Sequence, residues 1–285
     1  KQNKHKCHLC MKRIADSKEH LPMKAANNKG ELSLFHIKRS TKKISYNGFE
    51  KKYEKKGFWV PVLCQKCNNN TGSWYGSAYK DFILQISQTS KVNNNKSYIT
   101  INLENIYPLR IIKQMLSMFL CATPYEPEPI WDNLREFVLN KTKSIPQNAP
   151  SVFLYFNSSE NIGRIIPCGG LVNLRTHENT VFSEISWPTL GIVFSFNENP
   201  KLSRMEYINH WGVYGFKDKI SISIKLPQLL VSSYYPLCFG SAEEVDNEME
   251  VNPTIFLFHV PKNSNSIINM GIVSKKENKR RKNGF

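Results

Sequence analysis

The sequence predicts an α+β protein in which a small, cysteine-stapled region precedes a larger region with a mostly antiparallel sheet. Three observations predict this class. Two Cys-x-x-Cys pairs enclose the segment from Cys7 to Cys67. A helix-length apolar segment follows at Leu109–Ala122, and short strand-like runs separated by turn residues fill the chain after Ser151.

The chain is long enough for one large domain or two of ordinary size. The polar segment Ser90–Lys96 is typical of a linker, so we predict domains at 1–90 and 97–274. The basic run that follows predicts a flexible tail at 275–285.

In the first domain, the apolar run Leu32–Ile37 predicts a strand. The lysine-dense segment Lys38–Lys56 predicts an exposed basic hairpin or loop inserted between the two cysteine pairs. Phe58–Leu63 predicts a short strand that leads to Cys64, and helical spacing of apolar residues predicts a helix after Asn68.

In the second domain, Tyr98–Leu103 predicts a strand, and Pro108 suits the first turn of a helix at Leu109–Ala122. Apolar residues cover most of the circumference of that helix, so it should be buried. A shorter helix is predicted at Ile130–Leu139. Seven further strands are predicted: Val152–Phe156, Gly163–Ile166, Gly170–Leu174, Thr180–Ile185, Leu190–Phe196, Ile220–Ile224 and Thr254–Val260.

Positive charge is concentrated in two places. The net charge is +16, and residues 1–100 hold 20 Lys and Arg against 6 Asp and Glu. Residues 101–274 hold 13 against 16, and residues 275–285 hold 6 against 1. A uniform compositional bias would also have charged the middle of the chain. The distribution therefore predicts a nucleic-acid partner at the N-terminal third and the tail.

Four of the seven cysteines form two Cys-x-x-Cys pairs, Cys7 with Cys10 and Cys64 with Cys67. Two intervening residues let both sulfurs of a pair face one point, so two pairs supply a tetrahedral structural zinc site. A redox dithiol is the alternative, but the βαβ context of that motif is missing. His8, inside the first pair, is a competing ligand.

Glu19 and His20 follow the first pair closely, and Asn68 follows the second pair at once. Pro22 restricts the chain after His20 to an extended form. A carboxylate and an amide oxygen suit a hard cation such as Mg²⁺. A neutral imidazole beside them suits a general base that activates water. This combination is typical of phosphodiester hydrolysis.

The order Cys-x-x-Cys, Glu-His-Leu-Pro and Cys-x-x-Cys-Asn-Asn, over about residues 5–85, resembles the HNH or ββα-metal endonucleases, in the subgroup stapled by a four-cysteine zinc. The resemblance implies that residues 1–90 form a ββα-metal domain. It also implies that Glu19 and Asn68 hold a catalytic Mg²⁺ or Mn²⁺ and that His20 is the general base.

Two features of the resemblance stay open. Asn69 replaces Asn68 as a ligand if the register differs by one residue. The middle asparagine of the family, which orients the catalytic histidine, has no clear counterpart. Asn47 lies in the lysine-rich segment, and Asn27 and Asn28 lie close after His20.

The resemblance implies a metal-dependent endonuclease that hydrolyses phosphodiester bonds of DNA. Residues 97–274 would then serve recognition, homodimerisation or control by a partner. By family analogy, such a protein is an effector in bacterial or phage defence. Two alternatives are a zinc-stabilised nucleic-acid-binding module without catalysis, and a nuclease switched on by a ligand or partner at the second domain.

The remaining polar and aromatic candidates rank below these. His36, on a predicted strand among apolar residues, is predicted to be packed, with a further residue of the site as the alternative. His177, His210 and His259 show no ligand spacing and are predicted to be structural or on the surface. Trp74 and Tyr75 are predicted to belong to the helix core. The lysines of 38–56 suit contact with a phosphate backbone, and the tyrosines among them suit stacking on bases. A solvated loop is the alternative for this segment.

The sequence also predicts a cytoplasmic protein without a membrane segment. No apolar run approaches the roughly 18 to 20 residues that span a bilayer, and the basic start leads to a cysteine rather than to the apolar core of a signal peptide. Cys121, Cys168 and Cys238 are scattered, which suits core thiols in a reducing compartment.

Overall fold

The structure is a computed structural model of the whole chain. It describes residues 5–26, 28–30, 32–37, 49–89, 97–123, 129–159, 162–173, 177, 179–197, 202–231, 254–258 and 271–275. Within these ranges it contains three α-helices and thirteen β-strands, most of them paired in antiparallel fashion. The predicted α+β class with a mostly antiparallel sheet is therefore confirmed.

The first elements along the chain are four strands and a long helix: β1 (Ser17–His20), β2 (Leu32–Ile37), β3 (Phe49–Glu54), β4 (Trp59–Leu63) and α1 (Gln65–Thr89). A strand and two helices follow: β5 (Tyr98–Ile106), α2 (Pro108–Ala122) and α3 (Pro129–Leu139). The later strands are β6 (Ser151–Asn157), β7 (Ile162–Asn173), β8 (Asn179–Trp187), β9 (Leu190–Ser195), β10 (Glu206–Tyr207), β11 (Ile220–Leu229), β12 (Thr254–Phe258) and β13 (Gly271–Lys275). Short 3-10 helices lie at Lys24–Ala26, Leu202–Arg204 and Asn209–Val213.

The described strands form two sheets. Strands β1 and β4 make a small antiparallel pair, and β4 leads directly into α1. The other strands form a large sheet in the order β3-β2-β13-β7-β8-β9-β6-β11-β5, with β10 on β6 and β12 on β7. Of the described strand pairs, only β6 with β11 is parallel.

The hairpin of β2 and β3, which lies between β1 and β4 in the chain, belongs to the large sheet. Strands β2 and β3 pair with each other, and β2 also pairs with β13 of the large sheet. The predicted strand Leu32–Ile37 is thus present, and β3 supplies part of the predicted basic hairpin. Residues 38–48 of that hairpin lie outside the described residues. The chain between β1 and β4 therefore contributes two strands to the large sheet.

Helix α2 lies at the centre of the molecule. All of its side chains are buried except that of Arg110, as its near-continuous apolar surface predicts. Its one buried cation, Lys113, points Nζ at the end of α3, where it donates to the carbonyls of Phe137, Asn140 and Lys143. Burial lowers the pKa of Lys113 to about 7, and these three carbonyls provide the acceptors that its ammonium group needs.

One apolar core runs through both predicted domains. It joins Leu21 and Phe58 around the small sheet to Tyr75 of α1, Met115 of α2 and Ile224 of β11. The boundary at 90–96 lies outside the described residues, and the division into two domains stays a prediction. The shared core links the two parts mechanically, because apolar surface from each is removed from water by the other.

Several element boundaries differ from the predictions. The predicted run Gly163–Ile166 and residues 170–173 of the next predicted run belong to the single strand β7, which contains a register shift between Ile166 and Gly169. Strands β1, β10 and β13 were not predicted. The described residues include no helix that is both long and apolar enough to cross a membrane. Residues 276–285 of the predicted tail, like Cys238, lie outside the described residues.

Candidate metal centre and adjoining strand-helix site

The two cysteine pairs come together in the structure. The sulfurs of Cys7, Cys10, Cys64 and Cys67 all lie within 4.8 Å of one another. The Cys10 and Cys64 sulfurs are 3.9 Å apart, close to the ~3.8 Å expected between sulfurs bound tetrahedrally to one zinc. Among the described residues, no other group of three or more His, Cys, Asp or Glu side chains could share an ion. The cluster can therefore hold a structural metal such as zinc.

Local backbone bonds shape the first pair into a tight turn. The Met11 N–H donates to the Cys7 carbonyl at 2.9 Å, and Met11 adopts a left-handed φ of 54°. The Cys7 N–H donates to Arg13, and the His8 N–H donates to Val62 of β4. The turn is thereby attached to the strand that delivers the second pair, which brings sulfurs separated by more than fifty residues to one point.

Proton sharing in the cluster favours a bound cation. Hydrogen bonding from Cys67 lowers the pKa of Cys7 to about 4. The same contact raises the pKa of Cys67. Four thiolates at this distance repel each other, so all four ionise together only when a metal cation neutralises them.

His8 is not a member of the cluster. Its Nδ1 lies 3.1 Å from the Leu120 carbonyl at the end of α2, and its own carbonyl accepts from Arg135 Nε at 2.8 Å. Arg135 belongs to α3 and also pairs with Asp132. His8 therefore docks the cysteine turn on α2 and α3, and the alternative of His8 as a metal ligand is not supported by this arrangement.

Strand β1 carries Glu19 and His20 against β4. Glu19 is opposite Val60 and His20 is opposite Trp59, with a register shift between Ser17 and Glu19. Adjacent side chains of a strand point to opposite faces. Ser17 and Glu19 are buried, whereas Lys18 is exposed and His20 is half-buried. Glu19 and His20 thus face different sides of the small sheet.

Glu19 is a buried carboxyl group without a compensating donor. Its side chain is 8% exposed, and no described residue donates a hydrogen bond to it or pairs with its charge. Burial alone raises the pKa of Glu19 to about 7. A carboxylate in such a place is costly unless a cation offsets its charge. The environment of Glu19 therefore fits a ligand of a hard cation.

His20 is held in one tautomer by the turn before β4. Its Nε2 lies 3.2 Å from the Lys56 carbonyl, and a carbonyl only accepts, so Nε2 carries the hydrogen and Nδ1 carries the lone pair of the neutral ring. Burial and the nearby charges of Lys24 and Lys18 lower the pKa of His20, against the raising effect of the Lys56 bond. The ring is therefore neutral at neutral pH and can accept a proton.

Asn68 lies in the first turn of α1 and turns its amide towards β1. Its Nδ2 donates to Ser17 Oγ at 2.7 Å and to the Lys18 carbonyl at 3.1 Å. Its Oδ1 accepts no hydrogen bond from any described residue. Asn68 thus contacts the first half of β1, and its amide oxygen is available to a cation.

Helix α1 begins earlier than the predicted start after Asn68. Its first residue is Gln65, whose N–H donates to Asp16 Oδ1 at 2.8 Å. This side-chain cap comes from the chain just before β1 and satisfies one orphan N–H of the helix. Asn69 is exposed and accepts from Gln65 Nε2 at 2.7 Å, so Asn68, rather than Asn69, points at β1.

Asn28 is a fully buried clamp that the sequence reasoning did not assign. Its Nδ2 donates to the carbonyls of Pro22 and Phe58 at 2.6 and 2.7 Å, and its Oδ1 accepts from the Phe58 N–H at 2.7 Å. Gly57 adopts a φ of +82°, and a Cβ there would lie 2.3 Å from the Asn28 carbonyl oxygen. Asn28 thus ties the chain after His20 to the start of β4.

We expect Asn28→Ala to lower the free energy of unfolding by about 2 to 3 kcal/mol. The Pro22 carbonyl and the Phe58 N–H lose their Asn28 partner, and the Phe58 carbonyl keeps only the Leu21 N–H. Thermal unfolding measures the loss, and Asn102→Ala, at an exposed position of β5, is the matched control. Equal melting temperatures for the two variants would contradict the clamp.

The remaining histidines, cysteines and aromatic residues named from the sequence lie at separate places in the structure. His177 and His210 are exposed, in agreement with a surface position. His36 lies on β2, where side chains are not described, and His259 lies outside the described residues. Cys121 is buried in α2 and Cys168 is half-buried in β7. Tyr75 is core as predicted, but Trp74 is half-buried at the surface.

Comparisons of the chain with protein-family models, with curated proteins and with solved structures find no match.

Proposed function

We propose that this protein is a metal-dependent endonuclease of the HNH type that hydrolyses phosphodiester bonds of DNA. One observation carries the proposal. The strand with Glu19 and His20 pairs antiparallel with β4, β4 leads into α1 with Asn68, and the four-cysteine cluster holds the junction. This is the strand-strand-helix order that the resemblance to the ββα-metal endonucleases implies.

The donor set suits the metal of that chemistry. Glu19 is a buried carboxyl that no described residue pairs with, and Asn68 presents an amide oxygen whose nitrogen is already bonded. Both are hard oxygen donors, which Mg²⁺ and Mn²⁺ prefer. When bound, such a cation stabilises the pentavalent phosphate and the leaving 3′-oxygen.

In the proposed reaction, His20 Nδ1 takes a proton from water while the water oxygen forms a bond to phosphorus. The bond from phosphorus to the 3′-oxygen breaks, and the departing oxygen acquires a proton from solvent. The Lys56 carbonyl orients the imidazole. Lys18 and Lys24 lie near enough to lower the pKa of His20, and their charges suit a phosphate anion beside it.

Asn28 is proposed as the counterpart of the family's middle asparagine. It does not contact His20 itself. It fixes the backbone at Pro22, two residues after His20, to Phe58, which follows the Lys56–Gly57 turn that contacts the imidazole. Asn28 is therefore a positioning residue. The role as a defence effector stays a prediction from family analogy.

The proposal is tested by cleavage of supercoiled plasmid by the zinc-loaded protein, with Mg²⁺, with Mn²⁺ and without a divalent ion. We expect nicking or linearisation only with the ion. Glu19→Gln should slow cleavage on the order of 100-fold or more, because a neutral amide holds the cation less well. Glu104→Gln, at an exposed position of β5, is the matched control.

DNA that is retarded on a gel but never cut would contradict the nuclease and favour a binding module without catalysis. If Glu19→Gln cleaved DNA at the rate of the unmodified protein, Glu19 would not be a ligand of the catalytic ion.

A further inference from the structure

A row of alternating cations and aromatic rings lies where α1, α2 and the turn before β11 meet. Lys141 Nζ lies 4.8 Å from the centre of the Trp74 ring and 5.6 Å from that of Phe216. Arg110 lies between Phe216 and Tyr107, and Lys219 Nζ is 5.0 Å from the Tyr107 ring. We call these six residues the cation-aromatic ladder: Lys141, Trp74, Phe216, Arg110, Tyr107 and Lys219.

Arg110 is the most constrained member of the ladder. Its Cζ is 4.3 Å from the Tyr107 ring and 4.2 Å from the Phe216 ring, and its Nε donates to the Phe216 carbonyl at 3.0 Å. No described carboxylate pairs with it, and no described acceptor bonds its two terminal nitrogens. A guanidinium that is held against two rings, and whose terminal nitrogens bond no described acceptor, is prepared for an anionic oxygen pair.

Buried groups hold the ladder in place. Tyr75 is fully buried, and its hydroxyl donates to the Val138 carbonyl at 2.7 Å. Its ring makes edge contacts with Trp74 and Phe216, at centroid distances of 5.9 and 6.4 Å. The turn with Phe216 is closed by a bond from the Gly215 N–H to Asp218 Oδ2. Little ordering is therefore needed when a ligand binds.

The ladder is a local excess of positive charge in an otherwise acidic part of the chain. Lys141, Lys217 and Lys219 are exposed beside Arg110. The nearest carboxylate in sequence, Asp218, already accepts from the Gly215 N–H. Residues 101–274 as a whole carry more acidic than basic side chains, so compositional bias does not account for the cluster.

The ladder begins near the proposed nuclease site. Trp74 follows Asn68 by six residues on α1, which is about 9 Å along the helix axis. That distance corresponds to roughly three base pairs of duplex DNA, with phosphates on both strands. Six residues also turn the helix by about 240°, so Asn68 and Trp74 point to different sides of α1. The two sites are neighbours along the helix rather than parts of one surface.

We propose that the cation-aromatic ladder binds the phosphate backbone of DNA. The cations lie over the ring faces, so the rings orient charges rather than stack on bases, and the contact is independent of sequence. The assignment of this DNA as the substrate rests on the proposed function. The proposal that the ladder binds phosphate does not depend on the proposed function.

The test measures the affinity for a short fluorescent DNA duplex by anisotropy at several salt concentrations, with zinc-loaded full-length protein carrying His20→Ala to prevent cutting. The ladder variant carries Arg110→Gln, Lys141→Gln and Lys219→Gln. The control variant carries Arg204→Gln, Lys80→Gln and Lys225→Gln, all at exposed positions, and so removes the same charges elsewhere. A Lys141→Gln, Lys219→Gln double variant changes only exposed side chains and preserves the fold if Arg110→Gln does not.

We expect the ladder variant to bind on the order of tenfold more weakly, with the slope of log affinity against log salt reduced by about 2 to 3. The double variant should reduce that slope by about 2, and the control variant should change the affinity by less than about twofold. Equal losses in the ladder and control variants, or an unchanged slope in the double variant, would overturn the proposal. So would equally effective competition by an acidic polypeptide, which would assign the surface to a protein partner.

The ladder and the nuclease can fail separately. Ladder-dependent binding without cleavage under any divalent ion would leave the ladder standing and reject the proposed function. DNA affinity that is unchanged in the ladder variant, together with cleavage by the unmodified protein, would reject the ladder alone. A protein that binds no DNA at low salt would reject both.

Discussion

Cys64→Ser is expected to release the bound zinc and to lower the melting temperature by roughly 10 °C or more. Cys64 is 2% exposed and stands directly before α1. Structural zinc contributes about 10 to 16 kcal/mol in zinc-finger peptides. Here the large shared core remains, so only part of that free energy is lost, and each 1 kcal/mol corresponds to about 2 to 4 °C for a domain of this size.

The loss should extend beyond the metal itself. The Leu63 carbonyl accepts from the Asp16 N–H, and Asp16 caps α1 at Gln65. Without the metal, the cysteine turn, β1 and the start of α1 lose their common anchor. Nuclease activity should therefore fall together with zinc content.

Zinc per chain, measured by elemental analysis, and thermal unfolding check this prediction. Cys168→Ser is the matched control, because Cys168 lies in β7 outside the cluster. It should keep one zinc per chain, because four cysteine ligands bind a single zinc ion. A Cys64→Ser protein with full zinc content and an unchanged melting temperature would contradict a four-cysteine site.

His20→Ala is expected to slow DNA cleavage by about 100-fold to 10,000-fold, the usual contribution of a positioned general base. The imidazole is half-buried, its Nε2–H is bonded to the Lys56 carbonyl, and Nδ1 is its free base. Alanine removes the acceptor for the water proton and leaves Glu19 and Asn68 in place. Zinc content and DNA affinity should stay within about twofold of the unmodified protein.

His210→Ala is the matched control, since His210 is exposed on a short 3-10 helix and lies outside the proposed site. Single-turnover cleavage with saturating Mg²⁺ separates the chemical step from binding. Cleavage by His20→Ala at an undiminished rate would assign the base to another residue. A parallel loss of DNA affinity would indicate that His20 binds the substrate rather than activating water.

The two cysteine pairs and the central helix were predictable because each depends on local spacing. A Cys-x-x-Cys pair turns two sulfurs to one point whatever surrounds it. The burial of α2 follows from an apolar surface that covers its circumference. Strand β2 could also be predicted from local sequence, because a short apolar run next to a turn signal indicates a strand.

The candidate site was only partly predictable. The order of Glu19, His20 and Asn68 could be read from the sequence, but β1 is four residues long and mostly polar, so periodicity does not reveal it. Its strand conformation comes from pairing with β4, which is distant in sequence. The start of α1 was misplaced for a similar reason, because its cap, Asp16, comes from outside the helix.

The sequence by itself determined the composition of the four-cysteine cluster and the α+β class. Only the tertiary structure decided that Asn28 clamps the chain between Pro22 and Phe58, that the β2–β3 hairpin joins the large sheet, and that Arg110 is held between two rings. Spacing along the chain encodes contacts within a turn or a helix. Contacts between distant segments depend on how the core packs, and a single sequence carries no periodic signal for them.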